Sequence, residues 1–186
     1  MRIIAGAFKG RVLQSPTWPG LRPTSDALRE TLFNLLGPRL DGAVVLDLCA
    51  GTGAIGLEAL SRGAARATFV DSDRRAVRLV AANADRLGVA ERCMIVGASA
   101  IGALADDLGG PFDLVVIDPP YDAPWLAEVV AAAATQLAPD GVLVLEHAWR
   151  RPPPAAPRLT LVRTRRAGDS ALSTYRTAAD GGGTAS

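Results

Sequence analysis

A run of apolar residues that breaks on three closely spaced glycines and then resumes with helical periodicity constrains this chain more than any other feature. The stretch is Val44-Val45-Leu46-Asp47-Leu48-Cys49-Ala50-Gly51-Thr52-Gly53-Ala54-Ile55-Gly56-Leu57, and it reads as strand, tight turn and helix. Gly51 and Gly53 can take positive φ and admit a ligand to the backbone. The first amides of the following helix turn partial positive charge toward that ligand, and Gly56 lets the helix lie close on the strand. Asp47 stands four residues before Gly51, and a second strand, Ala67-Thr68-Phe69-Val70, ends in Asp71, fifteen residues after Gly56. An acid at the end of the second strand is placed to accept hydrogen bonds from two ribose hydroxyls.

A nicotinamide-dependent dehydrogenase would share that much. It would not favour Asp47, whose carboxylate faces a pyrophosphate badly and suits a ligand carrying an ammonium and a sulfonium. The pattern D-x-x-x-G-x-G resembles motif I of the S-adenosylmethionine-dependent methyltransferases. That resemblance assigns Asp47, the turn residues Ala50, Gly51, Thr52 and Gly53, and Asp71 with Ser72 to the cofactor.

Downstream, the expected elements alternate. A helix over Asp73 to Leu87 is capped by Gly88, a strand over Arg92 to Val96 leads to Gly97-Ala98-Ser99-Ala100, and Phe112 to Ile117 is a buried fourth strand. A helix over Leu126 to Leu137, a turn at Pro139-Asp140-Gly141 and a fifth strand over Val142 to Glu146 follow. Two alternating runs, Arg158 to Arg163 and Ala171 to Arg176, suit a closing hairpin. The fold class is therefore α/β: a Rossmann-like, mostly parallel seven-stranded sheet flanked by helices. A small N-terminal β-hairpin and linker occupy residues 1–20, the main domain 21–179, and a disordered tail 180–186.

The length of 186 residues and 49% hydrophobic content suit one such domain. No stretch approaches the ~20 uncharged apolar residues of a membrane span, and there is no signal-peptide pattern, so a cytoplasmic protein is expected. Cys49 and Cys93 have no metal-ligand spacing and read as buried free thiols, with no metal expected. His147, the single histidine, carries no assigned role.

Net charge is only +1, but it is segregated. Residues 1–40 carry Arg2, Lys9, Arg11, Arg22, Arg29 and Arg39 against Asp26 and Glu30, and residues 148–186 are similarly basic, which leaves the centre acidic. Basic ends around an acidic middle could form a phosphate-binding rim beside a cofactor pocket, unless they are ordinary solvated surface. The hairpin expected from Arg2-Ile3-Ile4-Ala5-Gly6 and Gly10-Arg11-Val12-Leu13-Gln14 would present Arg2, Lys9 and Arg11. The helix from Ala27 to Gly37, capped by Thr24 or Ser25, would bury Leu28, Leu32, Leu35 and Leu36 and leave Arg29, Glu30 and Asn34 on another face.

The pattern R-P-T-x-x-x-x-R-E-x-L-F-N over Arg22 to Asn34, the opening Arg-Ile-Ile-Ala-Gly, and Gly-Leu-Glu-Ala-Leu-Ser-Arg-Gly-Ala after the turn resemble the bacterial small-subunit (16S) ribosomal RNA guanine-N2-methyltransferases. The likeness runs from residue 2 to about residue 122 and is looser beyond. It implies S-adenosylmethionine as cofactor and small-subunit ribosomal RNA, within a particle, as the partner of a monomeric enzyme, with Arg2, Lys9, Arg11 and Arg22 toward the RNA. In that family the segment at Ser99-Ala100 presents an Asp or Asn to the adenine amino group; here Ser99 stands at that position.

Asp118-Pro119-Pro120-Tyr121 follows the fourth strand and matches the (N/D)-P-P-(Y/F) motif of amino-methyltransferases. A purine exocyclic nitrogen is a poor nucleophile because its lone pair is delocalised into the ring. Methylating it needs acceptors that hold the amino group as it becomes pyramidal, and the Asp118 carboxylate and the Pro119 carbonyl can serve. Two prolines fix that carbonyl's direction, and Tyr121 can stack on the base. The function expected is methyl transfer to guanine N2 in 16S ribosomal RNA. Adenine-N6 methylation of DNA or RNA is the alternative within enzymes, and a catalytically silent RNA-binding module the alternative outside them.

Overall fold

Valine, leucine and isoleucine fill the central runs, as they do in strands covered on both faces by crossover helices. The computed structural model describes residues 1–19, 24–37, 40–120 and 122–178. Its strands are β1 (Val44–Leu48), β2 (Arg66–Asp71), β3 (Cys93–Gly97), β4 (Phe112–Ile117), β5 (Leu137–Ala148), β6 (Leu159–Ala167) and β7 (Ser170–Thr177). Its helices are α1 (Asp26–Leu36), α2 (Ala54–Ser61), α3 (Arg74–Leu87), α4 (Ala100–Ala103) and α5 (Leu126–Ala133). The seven strands form one sheet in the order β3-β2-β1-β4-β5-β7-β6, parallel through β5, with β7 and β6 antiparallel. Among the described residues no helix is long and apolar enough to cross a membrane.

Strand order reverses between β1 and β4. Helices α2 and α3 cover one face with α1, around Leu57, Leu60, Val80 and Phe33, while α4 and α5 cover the other, around Ala103, Val129 and Val130. A crevice opens at the carboxyl ends of β1 and β4, where open α/β sheets bind ligands. Gly56 has the expected reason to be glycine: a Cβ there would run into the Phe69 ring on β2.

The N-terminal segment is a shorter hairpin than expected. Arg2 and Val12 form a single antiparallel bridge and no strands flank it. Around that bridge the Ile3 amide donates to the Arg11 carbonyl at 3.0 Å, the Leu13 amide to the Met1 carbonyl at 3.1 Å and the Gly10 amide to the Ile3 carbonyl at 2.9 Å, while amides that this short pairing does not use are satisfied by helix side chains. The Ile4 and Ala5 amides donate to Glu58 Oε2 and Oε1 at 2.7 and 2.9 Å, the Phe8 amide donates to Ser61 Oγ at 2.9 Å, and the Gln14 amide donates to Asn83 Oδ1 at 2.7 Å. Residues 1–14 are thus a strap laid across α2 and α3.

Arg29 is a second departure, because it is fully buried rather than turned to an outer face. Its guanidinium donates to the Arg2 carbonyl at 2.9 Å, pairs with Asp26 at 2.6 Å and lies 3.6 Å from Glu58. Glu58, also fully buried, accepts from Arg62 Nε at 2.9 Å, and Arg62 stacks over Phe33. Near the other end, the turn expected at Pro139-Asp140-Gly141 is part of β5, which shifts register against β4 between Phe112 and Leu114. The irregularity absorbs the proline and glycine without ending the strand. Helix α5 stops at Ala133 and tightens into a 3₁₀ turn over Ala134–Gln136. The expected tail, 180–186, lies outside the described residues.

Glu58→Ala would strand two strap amides and two guanidinium groups at once. Breaking a buried, hydrogen-bonded charge network costs about 3–5 kcal/mol. Urea denaturation should show a loss of that size, and limited proteolysis should cut the strap first; unchanged stability and protease resistance would remove Glu58 from this role.

Candidate functional site

The crevice deepens into a cavity of about 760 Å³ to which five strand ends contribute. The turn after β1 supplies Cys49, Ala50, Gly51 and Thr52; β2 supplies Val70 and Asp71, with Ser72 following; the segment after β3 supplies Ala98, Ser99, Ala100 and Ile101. Asp118, Pro119 and Pro120 follow β4, and Glu146 comes from β5. Thr24, Ser25 and Leu28 close the α1 side, and the β6–β7 turn closes another edge.

Three consecutive odd positions in the first turn have left-handed backbone: Cys49, Gly51 and Gly53, with φ of 63°, 57° and 75°. That path folds the chain back so that the Gly51 amide donates to Asp71 Oδ2 at 2.8 Å, while the Asp73 amide donates to Asp71 Oδ1 at 2.9 Å. Asp71 is thereby fixed with one lone pair on each oxygen still directed elsewhere. The Thr52 carbonyl is held from α3 by Asn83 Nδ2 at 3.0 Å, the same side chain that holds Gln14 of the strap.

Asp47 and Gly53 do not line the cavity. Gly53 is the N-cap of α2 and has no side chain to cap with, and Asp47 performs that function from beneath, accepting from the Gly56 amide at 2.9 Å. Only 1% of Asp47 is exposed, and its Oδ1 has no hydrogen-bond partner. Burial pushes its carboxyl up to about 7; the Gly56 amide pulls down and the charge of Asp71 pushes further up. Burial and the neighbouring carboxylates likewise push the Cys49 thiol up to about 12, so it is no nucleophile at neutral pH.

On the other side of the cavity, Ser25 caps α1 by accepting from the Leu28 amide at 3.2 Å. That leaves the Thr24 hydroxyl free to donate to Asp118 Oδ2. Asp118 is also hydrogen-bonded to Glu146, and its carboxyl lies well above the ordinary carboxylate range through burial, then the hydrogen bond and charge of Glu146, with Thr24 pulling the other way. Sequence reasoning missed Thr24 as a partner of Asp118 and missed Glu146 altogether. Glu146 could have been found by the criterion that picked out Asp71 and Asp118, a polar residue closing an apolar strand.

Ser99 reaches the cavity wall, but its Oγ accepts from the Gly102 amide at 3.2 Å as the N-cap of α4. Arg2 and Lys9 border a separate surface cleft beside Asp26 and Glu30. Arg11 is exposed and lies along the surface against α3, donating to the Leu87 and Arg86 carbonyls at its end and lying over Phe8. Arg22 and Tyr121 lie outside the described residues.

The composition of the wall decides what charge the cavity can hold. Among the described residues it has four carboxylates, Asp71, Asp118, Glu146 and Asp169, and no lysine or arginine. A dinucleotide pyrophosphate would meet uncompensated negative charge there. A ligand with ammonium and sulfonium groups, ribose donors and a flat base fits the same set: acceptors for the charges and hydroxyls, and Val70, Ala98, Ala100 and Ile101 for the base. Among the described residues no group of three or more His, Cys, Asp or Glu is placed to hold a metal ion.

Comparison with known proteins agrees with this chemistry. The family model described as "Conserved hypothetical protein 95" matches residues 1–176. "Ribosomal RNA small subunit methyltransferase D" of Escherichia coli K12 is 39% identical over 184 residues, 97% of this chain and 92% of that protein. The protein of the same name from Haemophilus influenzae is 34% identical over 154 residues, 82% of this chain and 74% of the relative. The solved structure of Escherichia coli yhhF superposes with a TM-score of 0.85 at 35% identity, covering 96% of this chain and 98% of that one.

The raised carboxyl of Asp47 predicts how stability varies with pH. Its folded value, about 7, exceeds the ordinary 3.8, so its contribution is fully present below about 4 and is lost as pH rises through about 7. Asp47→Asn keeps an oxygen for the Gly56 amide but cannot ionise. Between pH 4 and 8 the ligand-free variant should lose less stability than the parent, by up to about 4 kcal/mol; parallel stability curves would show that Asp47 ionises freely.

Proposed function

The chain belongs to the Conserved hypothetical protein 95 family, and from that membership we propose that it methylates the exocyclic N2 of a guanine in 16S ribosomal RNA of the small ribosomal subunit. Its cofactor is S-adenosylmethionine. The observation that carries the reading is the cavity at the switch point, lined by four carboxylates and, among the described residues, by no lysine or arginine, with Asp118 and two prolines at its far end. The small-subunit ribosomal RNA methyltransferases related to it supply the substrate class.

When bound, S-adenosylmethionine supplies an electrophilic methyl group on a positively charged sulfur, a charge that is lost on transfer. Asp71 takes the ribose hydroxyls, and the apolar wall after β2 and β3 takes the adenine, with Ser99 offering its remaining lone pair to the adenine amino group. Asp47 contributes from below the turn by holding the start of α2 rather than by contact with the ligand. At the other end, Asp118 and the Pro119 carbonyl accept the two N–H bonds of the target amino group, drawing them out of the base plane so that the nitrogen lone pair becomes available. The nitrogen sheds one proton as it gains the methyl group, and Asp118 is placed to receive it. Tyr121 stacks on the base.

A base paired in an RNA helix reaches this pocket only after being flipped out, at a cost of a few kcal/mol. Phosphate contacts offset that cost. Arg2 and Lys9 on the strap and Arg22 before α1 are the candidates. Arg11 serves the same surface indirectly by tying the strap to α3.

Incubation with labelled S-adenosylmethionine and unmodified small-subunit RNA or particles, followed by nucleoside mass spectrometry, should yield N2-methylguanosine; N6-methyladenosine would contradict the assignment. Asp118→Ala should lower turnover by roughly 10²-fold or more while leaving S-adenosylhomocysteine affinity within a few-fold. Asp71→Ala should do the reverse, weakening that affinity by about 1–3 kcal/mol.

A further inference from the structure

Glu146 is a buried carboxylate without an assigned task. It lies near the end of β5, where Leu145 is in register with Ile117, the last residue of β4, so Glu146 stands beside Asp118, the residue that follows β4. Only 8% of Glu146 is exposed, yet it lines the cavity. Its Oε1 accepts from Ser170 Oγ of β7 at 2.8 Å, which sets the orientation of the carboxyl group, and the carboxyl is hydrogen-bonded to Asp118. Two carboxyls in contact within an apolar setting are costly unless a proton or a ligand with N–H donors lies between them. Packing alone does not account for the pair.

The Watson–Crick edge of guanine presents N1–H and an N2 hydrogen side by side, both donors. Adenine presents its N6 amino group beside N1, an acceptor. Two adjacent ionised carboxylates complement the first edge and repel the second. We infer that Glu146 is a base-reading residue: it accepts the N1–H of the target guanine while Asp118 holds the amino group, so the two carboxylates select guanine. This inference rests on the reading of the site as a guanine-N2 methyltransferase. In the free protein the raised Asp118 carboxyl keeps its proton beside Glu146; the N–H donors of the base take that proton's place and it leaves to water.

The test replaces the target guanine in the RNA substrate by 2-aminopurine, which keeps the 2-amino group and lacks N1–H. The unaltered protein should methylate guanine with a kcat/KM about 10- to 100-fold higher, the effect of leaving one charged acceptor unpaired. In Glu146→Gln, whose amide can donate to the bare N1, guanine should lose a comparable factor, and the two substrates should come within about 3-fold of each other. S-adenosylhomocysteine affinity and Tm, measured alongside, should stay near the parent values. If Glu146→Gln slows both substrates equally and keeps the parent ratio, Glu146 only positions Asp118 and the inference is overturned. Equal rates for guanine and 2-aminopurine in the unaltered protein would overturn it with no variant needed. Product mapping separates the two levels: N2-methylguanosine with no discrimination at N1 sinks only the inference, whereas N6-methyladenosine sinks the underlying reading as well.

Discussion

The hydrogen bond from the Gly56 amide to Asp47 is the contact on which the rest of the site depends. A glycine-rich turn can approach a ligand closely because it lacks side chains, and for the same reason it cannot cap its own helix. Asp47 resolves that conflict from the strand below, so α2 begins where the turn needs it to begin. The Gly51 amide can then reach Asp71, which joins the ends of β1 and β2 into one rigid edge. Asn83 extends the arrangement by holding Thr52 and Gln14 at once, so the cofactor turn and the N-terminal strap share an anchor.

The site divides into two electrostatic tasks. Around the turn, Asp71 at the wall offers the acceptor that suits the proposed cationic cofactor, while Asp47 beneath it, its carboxyl pushed up to about 7, holds the start of α2. Beyond it, Asp118 and Glu146 lie beside Pro119, Pro120 and Trp125 in the cavity lining. Because no basic side chain lines the cavity among the described residues, positive charge for RNA phosphates has to come from outside it. That separation keeps RNA phosphates out of a pocket meant for a base and a sulfonium. It also explains how a chain of net charge +1 can serve a polyanionic substrate.

Much of this was legible in the sequence because strand ends in a parallel sheet share one side. An acid closing an apolar run identifies itself, and Asp71 and Asp118 were found that way. Glu146 carries the same signal, but it was read only as the end of a strand. What sequence periodicity cannot express is a polar side chain that serves the backbone of a distant segment. Arg29 and Glu58 were invisible for that reason: a helical wheel turns charges outward, whereas here they are buried to hold the strap. The expected N-terminal hairpin pairs only over a few residues, and the same cause docks it: its remaining amides donate to Glu58, Ser61 and Asn83. Asp47 was read as a cofactor residue, but its hydrogen bond is with a helix amide and it does not line the cavity, a distinction that spacing alone does not carry.

The proposed reaction requires cofactor and target base to occupy opposite ends of a single cavity between Asp71 and Asp118. A crystal structure of the protein with S-adenosylhomocysteine tests it most directly. The account predicts ribose hydroxyls on Asp71, the adenine against Val70, Ala100 and Ile101, and the sulfur directed toward Asp118 and Pro119. Density for the ligand elsewhere, or with its ribose away from Asp71, would contradict it.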